Sequence, residues 1–216
     1  MGLDKVLGPL ALIGMIMGSV FALGQTDIKR RLAYSSVAQV GYLLLGMSAF
    51  SELGVSATMF HITTHALMKS ALFLCAGAVI YQTGKHGIKD FEGIGYKMPI
   101  TMLVFTIGSL SMVGIPMFNG FISKWNLAMA SVQGGKFSYV ALIMLSSFLN
   151  AMYYLPIVLS AFLKKGEQAD LTYEKDKVPM SMLIPMLLLG AGCLLFGLYP
   201  QLVMNIVEKG IAYLYF

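Results

Sequence analysis

Apolar residues dominate this chain in six long runs, Val6–Gly24, Leu32–Phe50, Gly54–Thr83, Met98–Gln133, Phe137–Leu163 and Val178–Val207. Each is free or nearly free of charge. A bilayer interior needs about 20 apolar residues per crossing helix, so the pattern predicts six transmembrane helices. Only helices and closed barrels satisfy their own backbone in lipid. A barrel would show short alternating strands, and these runs are too long and too uniform for that. The predicted fold class is therefore an all-α integral membrane protein. Gly114-Ile115-Pro116 and Asn119-Gly120 interrupt the fourth run. Proline removes a backbone donor and glycine loosens a helix, so a discontinuous helix broken near Gly114–Gly120 is expected. Irregular backbone at membrane depth persists only where protein or a wet cavity surrounds it.

Composition agrees. The 216 residues are 57% hydrophobic and 12% charged, with a mean hydropathy of +0.76. Soluble domains are about 45–50% apolar and about 25% charged. A soluble enzyme, a nucleic-acid binder and a disordered chain are excluded as the main reading. The net charge of +5 reports orientation instead. Ten of the fifteen Lys and Arg residues lie in the loops after the first, third and fifth runs, and three lie on the opposite side. The positive-inside rule then places those loops in the cytoplasm and both termini outside, in a cell membrane crossed several times. The first run lacks a small-x-small cleavage site and is expected to remain as a helix. Residues 164–177, with four lysines and four acids, read as a solvated linker. Cys75 and Cys193 lie in apolar runs and read as small core residues. No cysteine cluster or glycine-rich nucleotide loop occurs, so no cofactor or metal is expected.

The remaining two cations, Lys69 and Lys124, lie inside runs, where a charge costs about 2.5–3.5 kcal/mol on insertion scales. His61, His65 and Lys69 follow one another in steps of four, which places them on one helical face. A stripe of titratable groups of this kind can pass protons, since the unperturbed histidine pKa is near 6.5. Two blander readings fit the same spacing: interhelical hydrogen bonding and a metal site from the i, i+4 histidines. The span supplies no acidic or cysteine ligand for a metal, and three groups in register favour the relay. Lys124 follows the expected break. A straight helix would let it snorkel to the outer interface beside Trp125; a deep break would make it an ionisable group beside a gap. Asp27 and Lys29 have the pattern of an ordinary helix start. Ser35, Ser36 and Gln39 can line water or tie helices together. No carboxylate falls inside a run, which favours protons over a sodium site built from oxygen ligands.

Three motifs carry a family resemblance: Asp27-x-Lys29 with Ala33-Tyr34-Ser35-Ser36-x2-Gln39-x-Gly41, then His61-x3-His65-x3-Lys69, then Gly114-Ile115-Pro116-x2-Asn119-Gly120-Phe121-x-Ser123-Lys124. In this order they resemble the antiporter-like, proton-conducting subunits of NADH:quinone oxidoreductase, of membrane-bound group 4 hydrogenases and of Mrp-type sodium/proton antiporters. The Asn-Gly-Phe-x-Ser-Lys-Trp form is most similar to the Mrp D subunit and its hydrogenase counterparts. Such subunits have about fourteen helices in two inverted five-helix repeats. The resemblance implies that residues 1–163 form the second repeat, 164–177 a cytoplasmic linker and 178–216 a trailing transmembrane helix. It implies that Lys124 is the ionisable group of the broken helix. His61, His65 and Lys69 would lie on the central hydrophilic axis, and Lys29 with Asp27 near cytoplasmic proton uptake. It also implies partners: other membrane subunits of a large complex, including a chain supplying the first repeat, within the lipid bilayer and without nucleic acid. The function expected is proton translocation, possibly sodium-coupled, in a redox-driven pump. A Mrp-type antiporter subunit without redox partners and a non-conducting scaffold half are the alternatives.

Overall fold

The protein is described by a computed structural model covering residues 2, 4–164 and 177–215. Eight α-helices follow one another among these residues: α1 (Asp4–Leu23), α2 (Ile28–Met47), α3 (Glu52–Thr83), α4 (Pro99–Val113), α5 (Asn119–Gln133), α6 (Phe137–Leu163), α7 (Met180–Leu198) and α8 (Gln201–Tyr215). Two short 3-10 turns, Ile88–Phe91 and Ile94–Tyr96, lie between α3 and α4. Helices α1, α3, α6 and α7 are each long and apolar enough to cross a bilayer. The 20 residues of α2 match in length, but three basic residues crowd its first turn. At 1.5 Å per residue, α3 runs to about 48 Å, more than the hydrocarbon thickness. The linker expected at 164–177 lies, apart from its two end residues, outside the described residues.

The fourth run is broken where expected. Gly114 adopts φ +90°, a left-handed conformation that needs no Cβ. Its N–H reaches the Ser111 carbonyl at 3.0 Å and the Ile115 N–H reaches that of Leu110 at 3.1 Å. These two bonds form a Schellman stop, and Pro116 prevents the helix from resuming. The chain restarts at Asn119, after Met117 at φ 79°, a backbone state costing about 1–3 kcal/mol for a residue with a side chain. The sixth run departs from expectation. Val178–Val207 is not one helix: it divides into α7 and α8 at Tyr199-Pro200. Proline disfavours helical backbone at the residue before it, and Tyr199 sits at φ −127° and ψ 65°. The trailing helix instead covers the break, since a Cβ on Gly197 of α7 would lie 2.2 Å from the Met117 carbonyl.

The larger of two core clusters is drawn mainly from α2, α3, α4, α6 and α7 and includes Leu32, Met68, Leu72, Phe105 and Tyr154; a second gathers Met15, Tyr42 and Leu127 from α1, α2 and α5. Cys75 and Cys193 are free and buried in it. Loops alternate between two faces as the charge pattern predicts. The Ile28 N–H bonds the His86 carbonyl and the Ile88 N–H bonds that of Thr26, at 3.0 and 2.8 Å. Lys164 pairs with Glu92 at 2.8 Å. The basic loops after α1 and α3 and the end of α6 therefore share one face. On the other, Lys136 reaches the Ser48 carbonyl at 2.9 Å.

Close approach at the break makes a direct test. A Cβ on Gly120 would lie 1.7 Å from the Ser111 carbonyl oxygen, whereas one on Gly77 meets nothing nearer than 3.8 Å. Gly120→Ala is expected to destabilise the protein by about 1–3 kcal/mol through overpacking. Gly77→Ala, inside α3 and with room for the methyl, is expected to raise the midpoint of thermal unfolding in detergent slightly, by up to about 1 kcal/mol of stability.

Candidate functional site

An α-helix ends with carbonyls that lack intrahelical donors and carry partial negative charge. In α4 the Schellman bonds satisfy Leu110 and Ser111, leaving Met112 and Val113. Lys124, one and a half turns into α5, takes both: its Nζ donates to Met112 O at 2.8 Å and to Val113 O at 3.0 Å. A third bond goes to Ser147 Oγ of α6 at 2.9 Å. The three donors of an ammonium thus meet three oxygens. Lys124 is 6% exposed. It is turned to the break and not to an interface, which overturns the snorkelling alternative.

Lys69 of α3 has a matching environment. Its Nζ donates to Leu32 O at 2.8 Å, to Ser35 Oγ and to Tyr154 Oη at 3.2 Å, and it is 7% exposed. Among the described residues neither lysine meets a carboxylate, and the buried polar ones include no Asp or Glu. Neutral oxygens alone therefore hold two amines in the core.

The steps of four in α3 place the histidines between the lysines. The His61 and His65 rings stack 6.0 Å apart at 6°. His61 stacks on Tyr42 at 5.4 Å, and its Nδ1 lies 2.5 Å from Ser123 Oγ. Lys124 Nζ stands 5.2 Å from the Tyr42 ring centre. Lys69, His65, His61 and Lys124 thus form one row, ordered from the basic-loop side towards the other. The Nε2 atoms of both histidines and both amide atoms of Gln39 are buried without a protein partner. Buried polar atoms left unpaired by protein are as a rule bonded to water or another chain. Each member of the row is a group that can bind and release a proton. Among the described residues, no group of His, Cys, Asp and Glu is suited to a metal ion.

A second polar connection escaped the sequence reading. Along α6, Tyr153 Oη donates to Asn150 Oδ1 and Asn150 Nδ2 donates to Met112 O at 3.1 Å, the carbonyl that Lys124 also holds. Tyr154 Oη contacts both Ser35 Oγ, at 2.9 Å, and Lys69. The available signal was Ser147, Asn150 and Tyr154 at i, i+3 and i+7 on a largely apolar helix. Tyr42 carries no such signal, being one of eleven tyrosines in the chain. Asp27 and Lys29 stand apart from the row: Asp27 caps α2 by accepting from the Arg30 N–H at 2.9 Å, and Lys29 is exposed.

Fold and site together define a polytopic helical membrane protein organised around buried ionisable groups and a broken helix. The chain belongs to the NADH:quinone oxidoreductase/Mrp antiporter transmembrane family, whose profile matches residues 3–150. It is 39% identical over 215 residues to subunit N of the NADH-quinone oxidoreductase of Desulforudis audaxviator, across 94% of this chain and 43% of that protein. Among solved structures it resembles a chain of the membrane-bound sulfane sulfur reductase, an archaeal respiratory membrane complex: TM-score 0.85, 36% identity, 97% of this chain and 42% of that one. A chain of the Mrp complex from Dietzia sp. has the same fold, with TM-score 0.89 at 24% identity over 98% of this chain and 47% of its own. The chain spans less than half the length of the curated relatives it matches.

The His61–Ser123 contact ties α3 to the broken helix. Ser123→Ala leaves a buried ring nitrogen unpaired, and about 1–3 kcal/mol of stability is expected to be lost, read as a lower melting temperature in detergent.

Proposed function

We propose that this chain is the second-repeat half of an antiporter-like subunit and carries protons across a membrane within a multisubunit complex. The observation that carries this reading is the row of two buried lysines bridged by stacked histidines beside a helix break. Protons pass from Lys69 through His65 and His61, and leave by Lys124. Asp27 and Lys29 serve uptake on the basic-loop side, which is cytoplasmic, with both termini outside the cell membrane. The ammonium groups lie among oxygens of no net charge, so a neighbouring charge can shift either one. A driving complex therefore needs only to move charge near the row. Residues 1–163 act as the second repeat and 178–216 as its trailing segment, while another polypeptide segment supplies the first repeat. The respiratory relatives at 36–39% identity support a redox-driven parent over a Mrp-type antiporter without redox partners.

In the assembled complex reconstituted in liposomes, Lys124→Ala and Lys69→Ala are each expected to reduce ion translocation by about tenfold or more. Unchanged translocation in both would favour the scaffold alternative. Orientation has its own test. A thiol introduced as Lys85→Cys is expected to react with an impermeant maleimide only from the cytoplasmic side, and one introduced as Gly135→Cys only from outside.

A further inference from the structure

Arg31 counts in the sequence as one more basic residue of the first loop. In the fold its guanidinium is half-buried and directs four of its five N–H donors to backbone carbonyls. Nε donates to Ala22 O at 3.1 Å, Nη2 to Leu23 O at 3.2 Å and Gln25 O at 2.7 Å, and Nη1 to Tyr153 O at 3.3 Å. The first three carbonyls end α1 and begin its loop. The fourth belongs to α6, and it is the carbonyl of the peptide that joins Tyr153 to Tyr154. Arg31 and Ser35 lie four residues apart on one face of α2. Ser35 Oγ bonds the Tyr154 hydroxyl and Lys69, while Arg31 holds the peptide of the same tyrosine. On its other side the guanidinium lines a cavity of about 550 Å³ on the basic-loop face, with Gln25, Thr26, Asp27, Gly87 and Lys89.

We infer that Arg31 is a positioning residue: it clasps α1 to α6 and thereby holds the Tyr154 hydroxyl against Lys69 at the basic-loop end of the row. This rests on the proton-carrying reading above. Only a planar, forked cation serves, because the four carbonyls lie on two helices. Lysine offers three donors from one point on a flexible stem. Arg31→Lys therefore keeps the charge but cannot span both helices, and is expected to release the α6 peptide, the longest of the four contacts at 3.3 Å.

The test is a double-mutant cycle in the assembled complex in liposomes. Arg31→Lys and Tyr154→Phe are each expected to slow translocation about tenfold. The double variant is expected to be no slower than either single one, because both act through one contact. Paired with Tyr42→Phe at the far end of the row, the loss from Arg31→Lys is expected to multiply. Wild-type translocation in Arg31→Lys overturns the inference. So does a multiplied loss in the Arg31–Tyr154 pair, and so does failure of Arg31→Lys to assemble, since the clasp would then be merely structural. Lys69→Ala separates the two levels: if it leaves translocation intact, the proton-carrying reading fails. If it abolishes translocation while the Arg31 and Tyr154 losses multiply, only the role of Arg31 fails.

Discussion

The structure depends on how the broken fourth helix ends. A helix C-terminus buried in the membrane leaves carbonyls that neither water nor lipid can satisfy. In this chain the Schellman turn at Gly114 answers two of them and the Lys124 ammonium answers the next two, Met112 and Val113. The dipole of α4 contributes partial negative charge at the same point. The break and the buried cation therefore stabilise each other: each is costly alone, and each supplies what the other lacks. Ser147 adds the third acceptor and Gly120 allows the two half-helices to approach.

The same solution recurs at Lys69, where the Leu32 carbonyl and the Ser35 and Tyr154 hydroxyls replace helix-end carbonyls. An amine held by neutral oxygens differs from one in an ion pair. It has no fixed countercharge, so its protonation answers to charges that come and go nearby. The stacked histidines, whose Nε2 atoms have no partner among the described residues, lie between the lysines. Helix α6 adds a parallel constraint, because Asn150 and Lys124 share one carbonyl while Tyr154 touches Lys69. The row is thus braced along its length by a second helix.

Much of this was legible in the residues. Charge-free runs gave the helices, since a membrane span must be apolar over a known length. Glycine and proline marked the break by local chemistry, and steps of four put the histidines on one face. The trailing helix was read as a single span because apolarity continues through Tyr199-Pro200, and only the backbone geometry there divides it. Which residues the polar positions of α6 and Arg31 would meet was not legible, because hydrogen bonds between residues 23 to 122 apart in sequence leave no periodic trace of their partners.

The sequence alone determined the solvent this protein folds in, the number and spacing of its apolar runs, and which titratable groups must sit among them. Those properties follow from transfer free energy and helical periodicity, both local to the chain. Tertiary structure alone decided that Lys124 turns inward to the end of α4, that Lys69 meets Ser35 and Tyr154, and that Arg31 joins α1 to α6. Those choices depend on which carbonyls remain unpaired once the helices have packed, a quantity that exists only in the assembled fold.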